Sequence, residues 1–192
     1  MKRAFASIMV VTILCSIAHA EDKFDFRKTR WGMTKEEVIA SEGENQRLES
    51  SRDELYFQEV IDGIAFFVSY DFIDNRLVSA SYIQEKSFDS TSEDCIKTFF
   101  IFSKLLEENY GKVNEKHLTI PNYYKKHKEN ACLGVSIGAV SILFRWINNG
   151  TVIDLFLSRD INKLPSLSIH YASIKDLKRI KSSRADKEKK KL

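Results

Sequence analysis

The sequence contains little proline and little glycine, with two Pro and seven Gly among 192 residues. Apolar residues make up 43% of the chain and aromatic residues 11%, so the composition excludes a disordered chain as the default and predicts a globular one. A glycine-rich phosphate-binding loop is also missing from the sequence. The apolar run Ala4–Ile17 is too short to cross a bilayer comfortably.

The first twenty residues have the three parts of a secretory signal peptide. Lys2 and Arg3 form a charged start, Ala4–Ile17 forms an apolar run, and Ala18-His19-Ala20 has the form of an A-x-A cleavage site. We therefore expect residues 1–20 to be removed and the mature protein to be periplasmic or secreted, without a transmembrane span. The roughly 172 residues that remain are the length of one ordinary domain.

Only three cysteines are present, and Cys15 lies within the expected signal peptide. Leu14 is too bulky for the position before a lipidated cysteine, which argues against a lipid anchor. Cys95 and Cys132 remain in a compartment that permits disulfides, so we predict that these two residues form one. Two buried free thiols are the alternative.

Positive charge is concentrated at the C-terminus. Residues 175–192 carry nine basic and three acidic side chains without apolar periodicity, which is typical of a frayed helix or a disordered tail. We expect a disordered, solubilising tail, with weak contact to an anionic surface as the alternative. Loss of Lys2 and Arg3 would lower the formal net charge from +3 to +1, so the domain before the tail is acidic. Export argues against a nucleic-acid partner.

Local patterns predict a first set of elements, a helix followed by strands. Thr34 and Glu37 have the spacing of a capping box, and Gly43 is placed to end the helix. Three strands follow at 55–60, 64–72 and 77–84, with turns at Asp62-Gly63 and Asp74-Asn75.

A second set repeats this order. Ser90 and Glu93 have capping-box spacing and open a helix that ends at Gly111, with Phe100 included in its apolar stripe. A long polar loop is predicted over 112–130. Strands are predicted at 140–146, 151–158 and 167–171, with an Asn149-Gly150 hairpin turn between the first two.

Runs of adjacent antiparallel strands with separate helices indicate an α+β fold, with little room for parallel βαβ crossovers. We predict a single domain over residues 21–174. It would consist of two tandem units, about 24–88 and 89–174, each a helix followed by an antiparallel β-meander. The basic tail, 175–192, would lie outside this domain.

The opening segment Arg30–Val38, RWGMTKEEV, resembles the WGM-S/T-x-E-E-V opening of small exported bacterial proteins. The segments around Arg145-Trp146, 151–155 and 167–171 are similar as well. This resemblance implies a helix-plus-meander fold of the β-lactamase-inhibitor-protein type or of the outer-membrane assembly lipoprotein type. It implies no set of functional residues, because the matching positions look structural.

The segment GVSIG around Ser136 matches the G-x-S-x-G pattern of serine hydrolases. Asp154 or Asp160, and then His170, follow in the order of that catalytic triad. The motif requires a strand, a sharp turn and a helix at the serine, whereas the residues after it continue as a strand pattern. We therefore favour a glycine-flanked strand or bulge near Cys132 and keep a serine hydrolase using Ser136 as an alternative.

No other pattern indicates catalysis. His117, His127 and His170 have no second ligand at metal-site spacing. The adjacent pairs Glu36-Glu37 and Glu107-Glu108 point in different directions on a helix and fit capping and solvent-facing roles. We predict no catalytic residue, no cofactor and no metal.

Aromatic residues fall on both faces of the predicted strands, so that one sheet face can pack into the core while the other meets a partner. We predict a non-catalytic binding or scaffold protein of the bacterial envelope that contacts another envelope protein. The main alternative is a proteinaceous inhibitor of a secreted enzyme, which would present sheet-face or loop residues to a catalytic cleft. The aromatic set is Phe66, Phe67, Tyr70, Phe72 and Tyr82.

Overall fold

A computed structural model of the chain describes residues 24–43 and 47–189, so the expected signal peptide lies outside the described residues. Within this part, no helix is long and apolar enough to cross a membrane. The helices are α1 (Lys35–Glu42), α2 (Asp94–Tyr110), α3 (Asn122–Lys126), α4 (Ala131–Ser136) and α5 (Leu177–Lys189). The strands are β1 (Arg47–Ser50), β2 (Glu54–Ile61), β3 (Ile64–Ile73), β4 (Arg76–Gln84), β5 (Glu115–Thr119), β6 (Ser141–Asn148), β7 (Thr151–Arg159) and β8 (Pro165–Ser173).

All eight strands form one antiparallel sheet in the order β1-β2-β3-β4-β8-β7-β6-β5. The α+β fold class is therefore confirmed. In the centre of the sheet, β4 pairs with β8, with Ser81 opposite His170 and Ile83 opposite Ser168. This pairing joins the first four strands to the last four.

The three tight turns predicted from sequence are confirmed. Both turn residues have positive φ in each case: 50° and 76° at Asp62-Gly63, 52° and 54° at Asp74-Asn75, and 47° and 84° at Asn149-Gly150. A two-residue hairpin turn of this kind matches the right-handed twist of the flanking strands, which is why Asn and Gly are favoured there.

The sequence also predicts the start of α1 correctly. The Thr34 side chain accepts a hydrogen bond from the Glu37 N–H, and the Glu37 carboxylate accepts one from the Thr34 N–H. A helix of this length is marginal alone, so its burial of Val38 against the core must stabilise it.

Strand alternation divides the sheet into two chemically different faces. One face carries the core, which α1, α2 and α4 cover. The other, which we call the polar face, carries polar side chains among apolar ones such as Val152 and Phe156 and is partly covered by α5. Because side chains alternate along a strand, neighbouring residues such as Ile169 and His170 lie on opposite faces. The largest fully buried side chains on the core side include Trp146, Tyr70, Phe66, Phe99, Leu55, Ile153, Leu155 and Leu167.

Cys95 of α2 and Cys132 of α4 are both fully buried and lie at disulfide distance, with their Cα atoms 6.0 Å apart. This separation is normal for a disulfide. The bond ties the long helix to the short one above β7 and β8, which both helices contact.

Several local expectations are wrong. Helix α2 begins at Asp94, and Glu93 at its N-cap makes no capping bond with its side chain, so the Ser90–Glu93 capping box does not form. Instead, Asp89 accepts hydrogen bonds from the Thr91 N–H and hydroxyl, which hold this segment in a turn. Phe100 is 51% exposed because the buried stripe runs through Phe99 and Phe102.

The segment after α2 is more ordered than its polarity suggested. The predicted loop over 112–130 contains β5 and α3, and the predicted strand or bulge around Ser136 is helix α4. The basic tail, expected to be disordered, forms helix α5 as far as Lys189, with Ile180 buried against the polar face of the sheet. Tertiary contacts with the sheet thus override weak local signals.

Reduction should reveal how much the disulfide stabilises the fold. The bond closes a loop across 37 residues of sequence. The chain-entropy relation gives about 4 kcal/mol for a loop of this length. We expect reduction under native conditions to lower the free energy of unfolding by about that amount, measured by urea denaturation. Two thiols that alkylate without reductant would contradict the bond itself.

Candidate functional site

A row of polar side chains crosses the face of the sheet that α5 partly covers. Cross-strand register places Ser69 opposite Ser81, Ser81 opposite His170, His170 opposite Asp154, and Asp154 opposite Arg145. Residues directly opposite each other share a face, so all five side chains lie on the same side of the sheet. The Ser69 and Ser81 hydroxyl oxygens are 2.9 Å apart.

Helix α5 crosses this row and leaves a hollow on each side. The larger hollow, which we call the groove, has a volume of about 830 Å³. The smaller hollow is about 270 Å³ and lies towards β2 and β3. The groove is lined by Ser79, Ser81, Arg145, Val152, Asp154, Phe156, His170, Ala172, Leu177, Ile180, Lys181 and Arg184, among others.

An ion pair forms part of the groove floor. Arg145 donates to both carboxylate oxygens of Asp154, with Nε–Oδ1 at 2.7 Å and Nη2–Oδ2 at 2.8 Å. The hydrogen bond to Asp154 raises the pKa of Arg145, despite partial burial. Fork-shaped pairing of this kind is strong and directional, so Asp154 is neutralised within the floor.

His170 lies at the centre of the row and is held neutral. Burial, and then the positive charge of Arg184, lower its pKa from 6.5 to about 4, although Asp154 opposes this shift. The His170 Nε2 atom is 3.1 Å from the Ser168 hydroxyl, and the Phe156 ring contacts the imidazole edge-on. A neutral imidazole can donate through one nitrogen and accept through the other.

Two cations on α5 form the opposite wall of the groove. Lys181 and Arg184 line it, and neither makes a hydrogen bond or ion pair with a described residue. In contrast, Arg179 on the same helix pairs with Asp176 and Asp74. The groove therefore carries more positive than negative charge.

The structure does not assemble the triad suggested by the GVSIG segment. Ser136 lies in α4 on the core side of the sheet, where its hydroxyl donates to the Cys132 carbonyl at 3.2 Å. His170 and Asp154 lie on the other face. Gly134 is needed for close packing, because a Cβ there would lie 2.7 Å from Val140 and 2.9 Å from Tyr124.

The other two histidines of the described residues are exposed. His117 on β5 lies beside Glu115, and His127 after α3 lies beside Glu129. Across residues 24–43 and 47–189, no group of three or more His, Cys, Asp and Glu side chains could hold a metal ion.

A second surface feature is the tight loop between β7 and β8. Asp160 closes the loop, because its N–H donates to the Leu164 carbonyl and its carboxylate accepts from the Leu164 N–H, both at 2.8 Å. The other oxygen of that carboxylate accepts a 2.6 Å hydrogen bond from the Ser87 hydroxyl, which ties the loop to the body. At its tip Ile161 is 96% exposed.

Sequence reasoning missed the groove and the hydrogen bonds of Asp160 that close this loop. It considered Asp154 and Asp160 as possible triad members and His170 as a triad member or a metal ligand, and it treated the tail as separate from the domain. The pattern around Asp160 could have indicated a turn, because an Asp side chain readily binds backbone N–H groups downstream. No local signal places α5 on the sheet.

Comparisons of the chain with protein-family models, curated proteins and solved structures found no match.

Replacing Gly134 by Ala should destabilise the fold, because the new methyl group would overlap Val140 and Tyr124. We expect a loss of about 1–3 kcal/mol in urea denaturation. Ser136→Ala is the matched control within the same helix. It removes one hydrogen bond and should cost about 1 kcal/mol or less. Equal effects of the two changes would contradict the packing role of Gly134.

Stability should fall in acid because His170 is neutral when folded. In the unfolded chain it protonates near pH 6.5, so the unfolded state binds the proton first as the pH falls. The contribution of His170 to the free energy of unfolding is fully present above pH 6.5 and is lost as the pH falls towards 4. The loss is about 3 kcal/mol at most. Denaturation of His170→Asn at several pH values should show a flatter profile, whereas exposed His117→Asn should retain the original slope.

Proposed function

We propose that the protein is an exported, non-catalytic binding protein that contacts another envelope protein through the loop Asp160–Leu164. The observation that carries this proposal is the presentation of Ile161, almost wholly exposed, on a loop held by hydrogen bonds on both sides. The signal-peptide pattern of residues 1–20 supports the placement outside the cytoplasm.

The loop is suited to binding because it is already ordered. Hydrogen bonds between Asp160 and Leu164 hold the backbone of the loop, and the hydrogen bond from Ser87 to Asp160 attaches the loop to the domain. A preorganised loop loses little conformational freedom on association. Burying an exposed Ile side chain in a partner contributes about 1.5–3 kcal/mol.

Further apolar side chains lie at the same end of the sheet. A Cβ added at Gly138, just after α4, would lie 3.3 Å from the Arg159 guanidinium. The end of α4 therefore lies beside the end of β7. Ile137 is 60% exposed there, and Leu164 is partly exposed. These residues would surround the contact made by Ile161.

An inhibitor of a secreted enzyme is the second candidate. A narrow loop with one protruding apolar side chain fits a concave surface, and an enzyme cleft is one such surface. In this version the same loop would enter the cleft, and binding would abolish the activity of the partner.

The organisation into two tandem units, about 24–88 and 89–174, is also part of the proposal. Helix α1 precedes β1–β4 and helix α2 precedes β5–β8, which supports it. However, β5, α3 and α4 come between α2 and β6, so the second unit is not a simple helix-then-meander. The proposed likeness of the WGM opening to small exported proteins would favour the same organisation.

Site-specific photo-crosslinking tests the docking loop. With a photoreactive residue at Ile137, in cells that export the full chain, we expect one defined adduct that disappears when Ile161→Asp is added. The reason is that Asp would bring an unpaired charge into an apolar contact. The matched control is Ile147→Asp, since Ile147 is 49% exposed at the opposite end of the sheet.

Persistence of the adduct with Ile161→Asp, or equal loss with Ile147→Asp, would reject the loop as the contact. Both variants should keep the original Tm, because neither side chain is buried. If the partner is an enzyme, its activity measured with and without the chain separates the inhibitor from the simple binding protein.

A further inference from the structure

The groove between α5 and the sheet has the dimensions of a ligand site. Its volume of about 830 Å³ lies within the usual range for small-molecule pockets. It opens on the sheet face, whereas the loop Asp160–Leu164 projects from the sheet end. The groove therefore offers a second site that does not depend on the proposed docking loop.

Charge in the groove is strongly one-sided. On the floor, Asp154 is already neutralised by Arg145 through two short hydrogen bonds. On the helix wall, Lys181 and Arg184 have no counter-ion among the described residues. The acidic side chains Glu54 and Asp71 line the smaller hollow, which Arg184 also lines, whereas Lys181 lines the larger hollow and not the smaller one. An anionic group is thus favoured in the larger hollow, near Lys181 and Arg184.

The remaining lining is largely apolar. Val152 and Phe156 on β7 form one side, and Leu177 and Ile180 on α5 form the other. Leu177 is partly exposed although it begins a helix that packs on the sheet. An aliphatic body in the groove would cover these surfaces, and its burial would contribute about 0.8 kcal/mol for each CH₂ group.

We propose that the groove binds an amphiphilic carboxylate, with its anionic head at Lys181 and Arg184 and its aliphatic chain between β7 and α5. His170 provides a polar contact at the head end. Its Nε2 is engaged by Ser168, and its Nδ1 makes no hydrogen bond with a described residue. Because the imidazole is neutral, the electrostatic attraction on the head group comes from Lys181 and Arg184. The Nδ1 atom can donate a hydrogen bond to an ionised carboxylate or accept one from a protonated carboxyl group, depending on the tautomer.

Titration with decanoate, below its micellar concentration, tests this proposal on the protein purified from expression of the full chain. We expect saturable one-site binding by calorimetry, and amide shifts in NMR spectra at Ser81, Asp154 and His170. Acetate lacks the chain, and decyltrimethylammonium has the opposite charge. Neither should bind the groove with comparable affinity.

Charge variants on α5 identify the head-group contact. Lys181→Glu should weaken decanoate binding about tenfold, since it replaces an attractive charge with a repulsive one near the carboxylate. Lys178→Glu is the matched control, because Lys178 is exposed on the same helix and does not line the groove. This control should bind decanoate as the unchanged protein does.

Filling the groove gives a second test that leaves the charges in place. Ala172 lines the groove from β8, so Ala172→Trp should occupy the space of the aliphatic chain and abolish binding. Thermal unfolding of each variant checks that the fold is intact. Equal decanoate affinity in Lys181→Glu and Lys178→Glu, or decyltrimethylammonium shifting the same amides equally well, would overturn the proposal. The crosslink from Ile137 should be unaffected by these groove variants.

Discussion

The pairing of β4 with β8 is the constraint on which the rest of the structure depends. Each half of the chain supplies an antiparallel run with an unpaired edge, and hydrogen bonds from Ser79–Ile83 to Ser168–Ala172 join the two edges. A row of unpaired backbone groups is a liability in an isolated sheet. Joining β4 to β8 removes the unpaired edge of each half at the centre and creates one continuous sheet with two broad faces, whose remaining edges are β1 and β5.

Those two faces have different roles because the side-chain period of a strand is two. The face carrying Ile169 and Tyr171 contributes to the apolar core, covered by α2 and α4 and tied by the Cys95–Cys132 disulfide. The opposite face carries Ser81, His170 and Asp154. The β4–β8 register brings Ser81 beside His170, so the polar row depends on the same pairing that completes the core.

Local chemistry made part of this predictable. The turns at Asp62-Gly63 and Asn149-Gly150 and the Thr34 capping box depend on a few neighbouring residues, and all three are confirmed. Expectations that depended on distant contacts were less successful. Near Ser90, the Asp89 carboxylate accepts a hydrogen bond from the Thr91 N–H, and the expected capping box does not form. Ser136 lies in a short helix that the disulfide and the close packing of Gly134 hold in place.

The sequence by itself determined the α+β class, the turns and the alternation that separates apolar from polar side chains, because these depend on residue type at short spacing. It also identified Cys95 and Cys132 as a pair. Only the tertiary structure decided that the basic tail continues as α5 across the sheet, that His170 meets Asp154 and Arg184, and that Ile161 projects from a closed loop. These arrangements depend on strand register and on contacts between residues far apart in the chain, for which no local pattern carries the information.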